Sequence, residues 1–114
     1  MSPRSWRERI EDILEAIAEI QEFTRAMSFE RFRDDPKTLK AVALDFVVIG
    51  EAAVHVPDDV AAAHPDIAWS LMRGVRNRLV HDYFGMDPEI LWDTIQNDLP
   101  PLVAPLTKIL CSPA

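Results

Sequence analysis

The dipeptide Asp-Pro occurs twice in this chain, at Asp35-Pro36 and Asp87-Pro88, and an apolar-rich run follows each time. Aspartate at such a position accepts from the free amides of a first helical turn, and proline suits position N1, whose N–H has no helical partner to lose. Each pair therefore marks a helix start. A third start lies upstream, where Ser5-Trp6-Arg7-Glu8 has the spacing of a capping box. Only three glycines are present, Gly50, Gly74 and Gly85, which argues against a loop-rich or all-β fold, and the nine prolines are placed so as to punctuate helices.

Apolar spacing fills in the elements between these signals. Ile10, Ile13, Leu14, Ile17, Ile20 and Phe23 recur at helical intervals and predict a helix from about 5 to 26. Ser28–Arg33 reads as a turn or short helical segment, with Phe29 and Phe32 covering one end of the core. The helix opened by Asp35-Pro36 should run to about His55 and stop before Pro57. Its apolar residues, including Leu39, Val42, Phe46, Val47, Ile49 and Val54, cover more than one face, so this helix is central or buried on two sides. Gly50 inside it costs about 1 kcal/mol relative to alanine, for which close approach of another helix would compensate.

Val56–Asp66 is a connector with one short helix between Pro57 and Pro65. Ile67, Leu71, Val75 and Leu79 then predict a helix ending near Phe84-Gly85, where glycine suits a left-handed cap. The last helix starts at Asp87-Pro88, should kink or break at Pro100-Pro101, and continues to Leu110. No strand signal competes and no internal repeat occurs. The expected architecture is all-α: an antiparallel four-helix-type bundle with short extra helices, forming one domain over residues 1–114.

The net charge of −7 and pI near 4.8 oppose a general nucleic-acid binder, which draws its affinity from excess Lys and Arg. Yet Arg73, Arg76 and Arg78 fall within six residues, beside only Asp82, and would concentrate positive charge at one place. Cys111 is the sole cysteine, so an intrachain disulfide is impossible. No N-terminal run resembles a signal peptide, and no stretch reaches the roughly 20 apolar residues that span a bilayer. A cytoplasmic protein without membrane contact is expected.

Chemistry concentrates in residues 76–83, Arg-Asn-Arg-Leu-Val-His-Asp-Tyr. Arg76 is a permanent cation with a planar fork matched to phosphate oxygens. His81 can exchange a proton near neutral pH, and Tyr83 adds a phenol. Such groups are the minimum for cleaving a ribose phosphodiester without a metal: His81 takes the 2′-hydroxyl proton, Arg76 stabilises the phosphoryl charge, Asn77 orients the imidazole or the phosphate, and a 2′,3′-cyclic phosphate results. The residue types serve equally well for a buried, hydrogen-bonded histidine beside solvated arginines.

At about 100° per residue, Arg76 and Tyr83 share one stripe of an ideal helix and Asn77 and His81 share another. Arg76 and His81 are about 140° apart. Three arrangements can bridge that arc: the reach of a long arginine, a distorted last turn before Gly85, or a second copy of the helix facing the first in an isologous dimer. Gly74, one turn before the motif, would permit such close contact.

Other constellations carry less. His55 and His64 with Asp58, Asp59 and Asp66 fit no metal-ligand spacing, so no metal and no cofactor are expected. Glu51, an acid amid Gly and Ala, reads first as an ion-pair partner for Arg73 or Arg76 and second as a catalytic group. Trp6, Trp69 and Trp92 are spaced as core anchors and do not form a base-stacking row.

The order Arg76, four residues, His81, one residue, Tyr83, with Asn77 directly after the arginine, resembles the active-site motif of HEPN ribonucleases, and more narrowly the HepT-like toxins. The resemblance extends to Ile49-Gly50-Glu51-Ala52-Ala53, to Pro65 and Trp69 ahead of the motif, and to Asp87–Trp92 followed by Asp98-Leu99-Pro100. It implies an α-helical HEPN-like homodimer with the motif at the interface, RNA cleavage by Arg76 and His81, and a cognate minimal nucleotidyltransferase antitoxin of the MntA type. In such systems the antitoxin transfers AMP to the motif tyrosine, here Tyr83. Arg73, Asn77 and Glu51 are the supporting candidates. The competing function is a non-catalytic helical partner that docks onto a nucleotidyltransferase and presents a substrate to it.

Overall fold

The computed structural model describes residues 4–81 and 87–112, with the backbone alone for 76–81. Every regular element among the described residues is helical. Helix α1 spans Trp6–Thr24, α2 Phe29–Arg33, α3 Pro36–Val54, α4 Asp58–Ala63 and α5 Trp69–His81. Helix α6 (Pro88–Asp93) passes through a widened π turn, Thr94–Asp98, into α7, Pro100–Cys111.

The starts form as their residues dictate. The Glu8 amide donates to Ser5 Oγ at 3.2 Å and the Ser5 amide to Glu8 Oε1 at 3.3 Å, closing the capping box. Asp35 accepts from the Thr38 amide at 3.2 Å and Asp87 from the Glu89 amide at 2.9 Å, with proline following both. Helix α1 stops without glycine: Ala26 takes φ 63°, a left-handed conformation that costs an L-residue roughly 1–2 kcal/mol.

Helix α3 is central. It packs against α1 on one flank and α5 on another, while α1 also meets α7. Ile10, Ile13, Ile17 and Ile20 of α1 are fully buried, as are Val42, Phe46, Ile49 and Ala53 of α3 to within a per cent or so. Gly50 is buried among them. From the remaining elements come Phe32, Met72, Leu99 and Leu106. Phe32 and Phe29 stack obliquely on Trp92 at centroid distances of 5.2 and 6.2 Å, which joins α2 to α6.

One feature differs from the sequence expectation. The break at Pro100-Pro101 is displaced upstream into the π turn, where the Leu99 amide donates to the Thr94 carbonyl at 3.0 Å, a five-residue step. Two successive prolines offer no amides to Gln96 and Asn97 and crowd those carbonyls, so the turn ahead of them widens. Among the described side chains of α5, Met72 is fully buried and Leu71 and Val75 are half-buried. Residues in steps of four drift about 40° per step, so the stripe read from Ile67 leaves the core within two turns.

Candidate active site

Helix α5 carries Arg76, Asn77 and His81, and its seat is built by the residues before them. The Trp69 indole N–H donates to the His64 carbonyl at 3.1 Å and fixes the entry of the helix. Met72 is sealed in the core one turn later. Arg73 then reaches across to α3: Nε donates to the Ala53 carbonyl at 3.2 Å and Nη2 to the Val56 carbonyl at 3.1 Å, with Asp58 Oδ1 3.8 Å away. Carbonyls at a helix C-terminus lack intrahelical donors and carry partial negative charge, so a guanidinium is well matched to them. Arg7 performs the same service for α7, donating to the carbonyls of Leu110 and Ser112 at 3.3 and 2.7 Å.

The Arg73 clamp sets the direction of α5. Its first turns sit at the C-terminal end of α3 and it packs along that helix, so it must run antiparallel to it. One turn beyond Arg73 lies position 76, and one turn back from Ala53 on α3 lies Gly50, next to Glu51. By register, positions 76 and 51 therefore come to the same level of the α3–α5 pair. Glu51 is half-buried and has a partner of its own; the Arg73 guanidinium is held by the carbonyl end of α3.

Rotation about α5 follows from Met72, which faces the core. Position 76 falls about 40° from it, on the side of Trp69 and Met72. Ser70, Gly74, Asn77 and His81 follow one another at steps of four, three and four, forming a stripe on the opposite side of the helix. Ser70 is exposed, and a Cβ added at Gly74 would meet none of the described residues within 4 Å. Beside this stripe an open cavity of about 250 Å³ is lined by Ser70, Leu71, Gly74, Val75, Thr94 and Asp98. On α3, Leu44 and Val54 are 65% and 53% exposed. The side chains of Arg76, Asn77 and His81, and the whole of Tyr83, lie outside the described residues.

Charge is segregated between helices. The thirteen residues of α5 include three arginines and no acid. Helix α1 carries Glu8, Glu11, Asp12, Glu15, Glu19 and Glu22. The overall negative charge is therefore compatible with local positive charge at the motif, because α5 itself carries three arginines and no acid.

His55 Nδ1 lies 2.8 Å from the Glu51 carbonyl, the His64 carbonyl accepts from Trp69, and Asp58 is the carboxylate beside Arg73. Among the described residues, no three His, Cys, Asp or Glu side chains group as a metal would require. No helix among them is long and apolar enough to cross a membrane.

A family model described as ribonuclease HepT-like matches residues 13–109. A relative from Thermococcus cleftensis, named a probable ribonuclease HepT, is 43% identical over 106 residues, covering 93% of this chain and 96% of the relative. A protein of Methanocaldococcus jannaschii named, by inference, as an RNase is 37% identical over 110 residues, 96% of this chain and 91% of its own. A protein of Caldanaerobacter subterraneus subsp. tengcongensis, likewise named, is 33% identical over 104 residues, 91% and 93% of the two chains. No solved structure gives a significant match.

Proposed function

The chain belongs to the HepT-like ribonuclease family, and from that premise we propose that it cuts RNA without a metal ion, using Arg76 and His81 at a site completed by two subunits. The observation that carries this reading is the disposition of α5. Asn77 and His81 continue the stripe of Ser70 and Gly74, over which the described residues of the single chain place nothing at Gly74, whereas Arg76 belongs to the other side. No single face of one α5 presents both groups, so in this reading a second subunit docks along the open stripe and the long Arg76 side chain reaches round its own helix to the shared phosphate. The exposed Leu44 and Val54 on the adjoining helix supply apolar area for such a contact.

In this mechanism His81 removes the 2′-hydroxyl proton and the 2′-oxygen attacks phosphorus. The P–O5′ bond breaks, and the leaving oxygen takes a proton back, giving a 2′,3′-cyclic phosphate and a 5′-hydroxyl end. Arg76 stabilises the charge that gathers on the non-bridging oxygens, and Asn77 holds the imidazole or the phosphate. Arg73 supports the site by seating α5 on α3, and Glu51 supports it as an ion-pair partner at the level of position 76.

The biological role in this reading is that of a toxin held in check by an MntA-like nucleotidyltransferase antitoxin. AMP attached to Tyr83 would add phosphate charge next to the catalytic pair, which both blocks and repels RNA. Two assays test the proposal. Purified protein incubated with small structured RNAs in EDTA should yield 2′,3′-cyclic phosphate ends, and protein co-expressed with its antitoxin should show AMP-sized mass additions on the Tyr83 peptide. Absence of cleavage, together with antitoxin binding that survives Arg76→Ala and His81→Ala, would instead favour the non-catalytic partner.

A further inference from the structure

Asp45 is the one charged residue that the described part of the core encloses, 7% exposed on the α1 side of α3. Its Oδ2 is sealed from solvent with no hydrogen-bond partner. Facing it across the interface is not a cation but a second carboxyl, Glu19 of α1, with Glu15 one turn away. Two carboxylates cannot hydrogen-bond to each other unless one keeps a proton. An ionised Asp45 would have a buried oxygen without a donor and a second anion against it, whereas a protonated Asp45 donates to Glu19 and is satisfied.

We propose that Asp45 and Glu19 share one proton across the α1–α3 interface, and that this proton is a pH-sensitive lock holding α1 to the helix on which α5 is seated. The charged groups acting on Asp45 among the described residues are Glu19 and Glu15, both from α1. Among the described residues, the cations on neighbouring elements are placed elsewhere. Lys40 of α3 is about 140° around the helix from Asp45. Arg33 of α2 is bound to Asp34 at 3.0 Å, and Arg73 of α5 holds the carbonyls of Ala53 and Val56. Burial first, and then Glu19, raise the Asp45 carboxyl from 3.8 to about 7.

The direction of the pH effect follows from that shift. Between about pH 4 and 7 the folded chain keeps a proton that the unfolded chain has released, so stability is highest at low pH and declines until the folded group ionises. The decline is at most about tenfold in the folded-to-unfolded ratio per pH unit for one proton, and it ends above pH 7. Within the folded protein, loss of the proton near pH 7 places anions against each other and loosens α1.

Asp45→Asn tests this directly, because its amide imitates the protonated acid and still donates to Glu19. Denaturant unfolding from pH 5 to 8.5 should show the wild type losing ground to Asp45→Asn as pH rises to 7, then a constant gap. Amide exchange corrected for intrinsic pH dependence should show Ala16–Ile20 losing protection above pH 7 in the wild type only. A carboxyl NMR titration of the wild type supplies an arm that needs no variant, with a midpoint near 7 expected for Asp45. A wild-type Asp45 that titrates in the ordinary carboxylate range, or a stability gap independent of pH, would overturn the proposal. None of these readouts depends on RNA cleavage.

Discussion

Arg73 and Ala53 are joined by a 3.2 Å hydrogen bond from Nε to the carbonyl oxygen, and that bond ties the motif helix α5 to the end of the central helix α3. With the second bond, to the Val56 carbonyl, it fixes both the axial level and the direction of α5. Arg73→Met keeps most of the side-chain volume and removes both donors. It should destabilise the fold by about 2 kcal/mol, the range expected for hydrogen bonds from a charged donor at a partly exposed site. Arg73→Lys should recover only part of the loss, since an ammonium lacks the planar fork that reaches two carbonyls. Urea unfolding of the three proteins checks the ranking.

None of the described residues of the single chain would lie within 4 Å of a Cβ at Gly74. Gly74→Ala should therefore leave the protomer fold intact and strengthen the helix by up to about 1 kcal/mol. Gly74→Leu should leave far-ultraviolet circular dichroism unchanged and raise the dimer dissociation constant at least about tenfold, a loss of 1.4 kcal/mol or more. Sedimentation equilibrium measures that constant. A leucine variant that dimerises like the wild type would remove the Ser70–Gly74 stripe from the interface.

Ala26 terminates α1 in a left-handed conformation at φ 63°. Ala26→Gly relieves that strain but enlarges the entropy of the unfolded chain, and the balance should favour the variant by roughly 0.5–1 kcal/mol. Thermal unfolding should show a higher midpoint, with RNA cleavage unchanged because the site lies on other elements.

The helices are legible in the sequence because their starts rest on local chemistry: Ser5 with Glu8, Asp35 with Pro36, Asp87 with Pro88. The central position of α3 is legible for the same reason, since its apolar residues exceed one face. Periodicity does not report how a helix is rotated against its neighbours, so the spacing of Ile67, Leu71 and Val75 marks a helix without showing that Met72 is the side chain it buries most fully. The π turn at Thr94–Asp98 depends on how a widened turn accommodates two prolines, which spacing alone does not encode. Asp45 carries no local signal either, because an acid within an apolar helix reads as an interruption until Glu19 is placed across from it. Of the candidate site, the helix and its two stripes follow from residue spacing. The role of Arg73 does not, since its carbonyl partners become neighbours only when α5 folds back on α3.

Metal independence follows from assigning base and charge stabilisation to His81 and Arg76. EDTA at millimolar concentration should leave the cleavage rate within about twofold, since the proposed chemistry asks no metal to lower the pKa of the nucleophile. Complete inhibition that is reversed by one divalent ion would show that the reaction draws on groups other than these two.

The most direct test of a site shared between subunits is complementation between two inactive variants. Arg76→Ala and His81→Ala should each fold, dimerise and fail to cleave RNA. In a mixed dimer one shared site combines the intact Arg76 of one protomer with the intact His81 of the other. An equimolar mixture after subunit exchange should therefore recover roughly a quarter of wild-type activity, since half the dimers are mixed and each holds one complete site of two. A mixture that exchanges subunits but stays as inactive as its parents would contradict the account, because each protomer would then need both residues for itself.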